Sequence, residues 1–230
     1  MNRAMPSWMR RRRVPQEGYG DPFLESEAYD APEGRAFLDA RTQRLLNLLR
    51  AQTRRPGKVL ILGCGTGRLA LGLARSCPEC EVTGIDRCGP ALEEGLEKAR
   101  GLALVGRVWF LEGDATRLDL PDGSFDAVLC DDLLHHIAEP ARLFAGIRRV
   151  VKPGGTLLLR DLERPLRPFW SGLLGRSRPA APEPLRDAWL SSAAAAYSLD
   201  ELKALCSGSP LVGAVAGRDV DGSLLLSRRF

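Results

Sequence analysis

The two histidines of this 230-residue chain, His135 and His136, stand side by side in the segment Cys130-Asp131-Asp132-Leu133-Leu134-His135-His136-Ile137. A histidine titrating near pKa ~6.5 can take a proton from a reacting group at neutral pH. It can equally hydrogen-bond the backbone and do no more than shape a loop. Further upstream, Gly63, Gly65 and Gly67 break the apolar run Val59–Leu62. Glycine suits a sharp backbone bend that a ligand must approach without meeting a Cβ. A helix starting just after such a turn presents free N–H groups and a positive dipole end. Asp86 follows Gly67 by 19 residues and closes the run Val82-Thr83-Gly84-Ile85. A carboxylate there can accept hydrogen bonds from both hydroxyls of a ribose. Asp114, in Glu112-Gly113-Asp114-Ala115, can accept from an adenine amino group. Two acids at successive strand ends beside a glycine turn describe an adenosine site.

The spacing of the glycines narrows the ligand. A dinucleotide fingerprint is G-x-G-x-x-G, and counting from Gly63 its last glycine would fall on Arg68. The turn is G-x-G-x-G, which disfavours a pyrophosphate. The chain also lacks the Tyr-x-x-x-Lys pair of a nicotinamide oxidoreductase.

These residues need a scaffold, and the chain supplies the pattern for one. From Lys58 onward, short apolar runs alternate with helix-length segments, which predicts a parallel sheet covered by helices. Strands are expected over Lys58–Leu62, Glu81–Ile85, Arg107–Leu111, Phe125–Cys130 and Thr156–Arg160. Helices are expected over Arg68–Ser76, Pro90–Arg100 and Pro140–Val151. The turn Lys152-Pro153-Gly154-Gly155 precedes strand five. Ser198, with Glu201 three residues on, forms a capping box that starts another helix. Two last apolar runs, Leu211–Ala216 and Ser223–Leu226, flank the hairpin signal Asp221-Gly222. Upstream, Glu33–Ala51 has helical spacing and is expected to pack beside the cofactor site. The fold class is therefore α/β: a doubly wound, Rossmann-like sheet of seven mostly parallel strands ending in an antiparallel hairpin.

Residues 163–197 interrupt the regularity with prolines, arginines, Phe169, Trp170 and Trp189. A long irregular insert in a compact domain usually covers a binding site. Phe169, Trp170, Trp189 and Tyr197 could wall an apolar pocket, with Arg164 and Arg167 meeting an acidic group.

The length suits one α/β domain over residues 17–230, behind a basic and disordered tail over residues 1–16. Arg3 and Arg10 to Arg13 carry five positive charges ahead of the first acid, Glu17. The formal net charge is +4, so the remaining 214 residues sum to −1. That near-neutral body argues against a nucleic-acid substrate, which asks for a broad basic face. The run Trp8 to Arg13 lacks the apolar stretch of a signal peptide, and nothing later is apolar for long enough to cross a membrane. The expected location is cytoplasmic. All six cysteines are then expected to stay reduced, and Cys77-Pro78-Glu79-Cys80 reads as a loop, since a zinc site needs a second pair or nearby histidines.

From Lys58 to Asp161 the chain resembles the core of class I S-adenosylmethionine (SAM)-dependent methyltransferases. The resemblance rests on the glycine turn, the acid after strand two and Gly113-Asp114-Ala115. It extends through Phe125-Asp126-Ala127-Val128 and Arg148-Arg149-Val150-Val151-Lys152-Pro153-Gly154-Gly155. It implies SAM as cofactor, with Gly63, Gly65 and Gly67 at its methionine end, Asp86 at the ribose, Asp114 with Ala115 at the adenine, and Cys64 and Arg87 also among the cofactor-binding residues. Asp131 is expected to complete the cofactor set. The chain departs from the family at Ile61, where an acid that helps hold the cofactor's ammonium group usually stands. The Leu-Leu-His-His-Ile pattern resembles small-molecule methyltransferases; the Asn/Asp-Pro-Pro-aromatic motif of nucleobase and glutamine methylation is missing. His135 and His136 are the candidate catalytic residues. Asp132-x-x-His135-His136 also resembles the metal site of some O-methyltransferases, but His135 replaces an acid of that pattern, and no metal is expected. The implied function is methyl transfer from SAM to a small-molecule acceptor. The alternatives are a SAM-binding protein without activity and a methyltransferase acting on RNA or protein.

Overall fold

Val59–Leu62 is apolar on both faces, as a strand must be when helices cover its sheet on each side. In the computed structural model, which describes residues 32–53, 56–164 and 191–230, this run is β1 (Lys58–Leu62) at the centre of the sheet. The elements before and after it are α1 (Pro32–Gln52), α2 (Arg68–Ser76), β2 (Glu81–Asp86), α3 (Gly89–Gly101), β3 (Val108–Glu112), β4 (Phe125–Asp131), α4 (Pro140–Val150), β5 (Val151–Asp161), α5 (Leu199–Ser207), β6 (Val215–Arg218) and β7 (Leu224–Arg229). The seven strands run in the order β3-β2-β1-β4-β5-β7-β6. The first five are parallel; β7 is antiparallel to both β5 and β6.

Alternate β1 residues serve two cores, as the period of two demands. Val59 and Ile61 pack with Leu45, Leu46 and Leu49 of α1 and with α2. Leu60 and Leu62 face α4, α5 and the C-terminal strands through Leu143, Phe144, Leu202 and Leu226. Strand order reverses between β1 and β4, so the crevice beyond their carboxyl ends is the place where a sheet of this kind takes its ligand.

Most expected elements stand within a residue or two of their predicted bounds, and Ser198 caps α5 in a full capping box with Glu201. Three differ. β5 begins at Val151 and absorbs the glycine turn: Val151 pairs with Phe125 before the register shifts, and Gly154 takes φ 77. The hairpin's first strand begins at Val215, because Leu211 turns inward to a fully buried position and the chain reverses through Gly213 at φ 88. Cys77 and Cys80 are joined in a disulfide, correcting the expectation of six free thiols. α2 ends at Ser76, and the tight turn after it, with Cys80 N–H donating to Cys77 O, brings the two Cα atoms to 5.5 Å, within bridging range. The expected tail, residues 1–16, and most of the insert, with Arg167, Phe169, Trp170 and Trp189, lie outside the described residues.

Candidate active site

The turn after β1 is built by packing as much as by conformation. Gly63, Gly65 and Gly67 all take positive φ, at 68, 50 and 80°. A Cβ on Gly67 would lie 2.5 Å from the Phe110 ring, which fills the space beneath the turn from β3. Gly67 is thus required as glycine both by its conformation and by the Phe110 ring packed against it. Gly65 is different: a Cβ there would meet nothing within 4 Å.

Asp86, 5% exposed at the end of β2, braces the turn from the side. Its Oδ2 accepts the Gly65 N–H at 2.7 Å and its Oδ1 the Cys88 N–H at 3.0 Å. Cys64 turns its thiol inward against Gly84, and burial followed by the Asp86 charge pushes that thiol up. Its side chain is thus packing, and only its backbone belongs to the turn. At the end of β3, Asp114 Oδ1 accepts from Thr116 N–H at 2.8 Å and from Thr116 Oγ1 at 2.7 Å. Burial works to raise the Asp114 carboxyl, but the Thr116 hydrogen bonds and the Arg87 and Arg117 charges outweigh it, and the net direction is down.

These strand ends open on a cleft. Gly63 lines it from β1, Asp86 and Arg87 from β2, Asp114 and Ala115 from β3, and Leu133, His136 and Ile137 from the turn after β4. Six of the expected site residues thus come together: Gly63, Asp86, Arg87, Asp114, Ala115 and His136.

The two histidines divide. His135, 3% exposed, faces the interior, where its Nδ1 meets Asp161 Oδ1 at 2.6 Å and its backbone N–H donates to Asp161 Oδ2 at 3.0 Å. His136 lies against it, ring centroids 4.0 Å apart, and faces the cleft. Burial, and then the neighbouring His135, push the His136 ring down to about 3, so it is neutral at pH 7.

Asp131 has a partner that the sequence reading did not assign. Arg160, directly across in the β4–β5 register and fully buried, binds both of its oxygens, at 2.7 and 2.6 Å. Burial and then Asp132 push the Asp131 carboxyl up against the pull of Arg160 and Arg41. A second guanidinium, Arg41 of α1, bridges Asp132 at 2.9 and 3.0 Å and reaches Asp221 of the β6–β7 turn at 3.5 Å. Asp132 therefore points to Arg41 and His135 to Asp161, which separates the members of the Asp-x-x-His-His pattern; among the described residues no cluster of metal-ligating side chains occurs. Both arginines carried a signal. Arg160 interrupts the run Leu157–Leu159, and Arg41 sits four residues before Leu45 on the buried stripe of α1.

Two residues assigned to an acceptor pocket are engaged elsewhere. Arg164, 6% exposed, donates to Ala196 O and pairs with Glu201, and Tyr197 belongs to the main core. Ile61 is buried among Leu45, Leu46 and the α2 leucines.

Residues 60–159 match the family described as "Methyltransferase domain". That match takes in β1 to β5, and the sheet order around it is the Rossmann-like fold of the solved methyltransferases that the chain resembles. Among named relatives, a demethylmenaquinone methyltransferase of Deinococcus radiodurans is 38% identical over 120 residues, covering 52% of this chain and 47% of its own length. A ubiquinone biosynthesis O-methyltransferase of Alkalilimnicola ehrlichii is 34% identical, covering 51% and 47%. The chain thus spans about half the length of these relatives. In fold it is similar to a SAM-dependent methyltransferase from Aquifex aeolicus, with a TM-score of 0.62 at 20% identity over 90% of this chain and 97% of that one. The plantazolicin methyltransferase BpumL, solved with S-adenosylhomocysteine (SAH), superposes with a TM-score of 0.64 at 18% identity over 81% and 68%.

The cleft fits such a cofactor on its own chemistry. An ionised carboxylate offers about four acceptor sites. The backbone occupies one on each oxygen of Asp86, and Thr116 uses only Oδ1 of Asp114. Acceptor capacity for two hydroxyls and for one amino group therefore faces the cleft, beside the open space at Gly65.

Proposed function

We propose that the chain is a methyltransferase that moves the methyl group of SAM to a small-molecule acceptor. The observation that carries this reading is the pairing of Asp86 and Asp114 at adjoining strand ends of one cleft, with His136 on its opposite wall. SAM supplies a methyl group on a sulfonium, so the transfer is an in-line displacement. The protein's part is to position the acceptor, exclude water and take a proton where the acceptor has one to lose. Asp86 and Arg87 would hold the ribose, Asp114 and Ala115 the adenine, and the turn from Gly63 to Gly67 the methionine end. His136, neutral at pH 7 and on the cleft wall, is positioned to accept the acceptor's proton. His135, clamped by Asp161, would hold His136 in place.

The named relatives are a demethylmenaquinone methyltransferase and a ubiquinone biosynthesis O-methyltransferase, and the apolar residues Leu133 and Ile137 beside His136 suit an acceptor of mostly apolar character. A near-neutral body weighs against RNA or DNA as acceptor. Among the described residues no helix is long and apolar enough to cross a membrane, and we place the protein in the cytoplasm, where SAM is available. A second reading, SAM binding without turnover, is favoured by Ile61, which removes an acid from β1.

The test is incubation with methyl-labelled SAM and a panel of phenols, quinols, amines and carboxylic acids. Label should move to a small molecule, with His136→Gln slowing transfer by about 100-fold or more. Label found only on RNA or protein, or on nothing while SAM still binds, would overturn the reading.

A further inference from the structure

Cys77-Pro78-Glu79-Cys80 lies at the far end of α2 from the glycine turn and does not line the cleft. α2 has nine residues, so at ~1.5 Å per residue about 13 Å separates its two ends. A helix this short is not held by its own hydrogen bonds and depends on what anchors it. Its start is tied to the glycine turn, where Leu71 N–H donates to Gly67 O at 2.8 Å. Its end is tied by the Cys77–Cys80 bridge, and both cysteines belong to the same core as Leu69, Leu71 and Leu73.

Two features suit this turn to both redox states. Cys80 Sγ lies 3.0 Å from Pro56 O, just ahead of β1. A bridged sulfur carries no hydrogen, so it is the thiol that donates there, and the reduced residue finds a buried partner ready. The turn is also gripped by positive charge. Arg107 Nη1 donates to Ala74 O and to Pro78 O, both at 2.9 Å, and Arg50 Nη2 to Ser76 O at 3.0 Å. Guanidiniums beside a Cys-x-x-Cys pair favour the thiolate, the form in which sulfur attacks and departs. The two sulfurs differ in access, since Cys77 is 9% exposed and Cys80 1%.

We propose that Cys77–Cys80 is a reversible thiol–disulfide exchange site for a dithiol reductant, and that its state sets how firmly α2 supports the cofactor turn. A thiolate of the dithiol attacks Cys77 Sγ, the S–S bond breaks, and Cys80 departs as a thiolate and takes up a proton. The reductant's second thiolate then attacks its own sulfur in the mixed disulfide. Cys77 departs and is protonated in turn, and the dithiol ends as a disulfide, two electrons poorer. Opening the bridge frees the turn at Pro78, whose carbonyl Arg107 holds together with that of Ala74. Arg107 leads straight into β3, and the Phe110 ring of β3 packs under Gly67, so the loosening reaches the glycine turn through both helix and strand. The effect on the cofactor rests on the reading of the cleft given above; the exchange itself does not.

The test compares the wild-type chain, oxidised and after reduction with dithiothreitol, with the Cys77→Ser/Cys80→Ser double variant. Alkylation after denaturation should count four thiols in the oxidised chain, since Cys64, Cys88, Cys130 and Cys206 are free. It should count all six after reduction of the native protein, and four again on re-oxidation. Reduction should lower the melting temperature by about 4 °C or more, the scale of a short-loop disulfide. SAH, titrated by calorimetry, should bind the reduced chain about fivefold or more weakly than the oxidised one, the lower edge of ordinary coupling between two sites. The double variant should match the reduced chain in both readouts and ignore dithiothreitol. Six thiols after oxidation, four after native reduction, equal melting temperatures or equal SAH affinity of the two forms would each overturn the proposal. SAH binding to neither form would sink the cofactor reading and the coupling with it, while the thiol count would still decide the exchange site.

Discussion

Replacing Gly67 by alanine tests how the glycine turn is built. At φ 80 an alanine pays about 1–2 kcal/mol for the left-handed conformation. Its methyl group would also stand 2.5 Å from Phe110 Cζ and 2.7 Å from Cε1. The ring has little room to move, because Gly84 and Gly95 already approach it closely, with their own Cβ positions 3.2 and 3.1 Å from it. Overpacking of this kind costs about 1–3 kcal/mol. Against this, alanine restricts the unfolded chain and returns about 0.4–1 kcal/mol. The net expectation is a loss of about 2–4 kcal/mol in urea unfolding, a large share of the ~5–15 kcal/mol of a typical domain. Phe110→Ala removes the clash and leaves the backbone cost, so the double variant should lose about 1–3 kcal/mol less than the sum of the singles. A loss below about 1 kcal/mol for Gly67→Ala, or strict additivity with Phe110→Ala, would refute the claim that Phe110 shapes the turn.

Three more expectations follow from the charged and capped groups. The depressed His136 means that the unfolded chain binds a proton the folded chain refuses below pH ~6.5, so this residue makes stability fall as pH falls. His136→Gln should therefore remove about 2 kcal/mol of the stability difference between pH 7 and pH 5, read by urea unfolding at each pH, and an unchanged difference would contradict it. Asp161→Ala leaves the His135 ring and backbone N–H without their buried carboxylate, and should cost at least about 1.5–3 kcal/mol by the same method; a loss within 0.5 kcal/mol, roughly the surface-substitution level, would show the pair to be incidental. Ser198→Ala removes the α5 capping box and should cost about 1 kcal/mol, where no loss would mean that packing alone holds the helix start.

The parallel half of the fold was legible because its signals are local. Val59–Leu62, the glycines after it, and Asp86 and Asp114 at the next two strand ends announce themselves within a few residues each. What escaped was long-range. Arg41 and Asp132 are 91 residues apart, and nothing near either of them names the other. The Asp131–Arg160 pair was closer to hand: a lone arginine after three buried leucines needs an acid, and aligning β4 with β5 puts Asp131 opposite it. The extended start of β5 was hidden because a Pro-Gly-Gly turn hydrogen-bonds in strand register only when Phe125 and the C-terminal Phe230 are there to receive it. The Cys77–Cys80 pair was visible as a motif, but its closure depends on where α2 stops.

The most direct test of the cofactor assignment is one calorimetric comparison of SAH with NAD on the wild-type chain and on Asp86→Ala. The site described here predicts that SAH binds and NAD does not. It also predicts that Asp86→Ala weakens SAH by about 100-fold or more, since two charge-assisted hydrogen bonds of about 1.5–3 kcal/mol each are lost. NAD binding tighter than SAH, or SAH affinity indifferent to Asp86, would contradict the account.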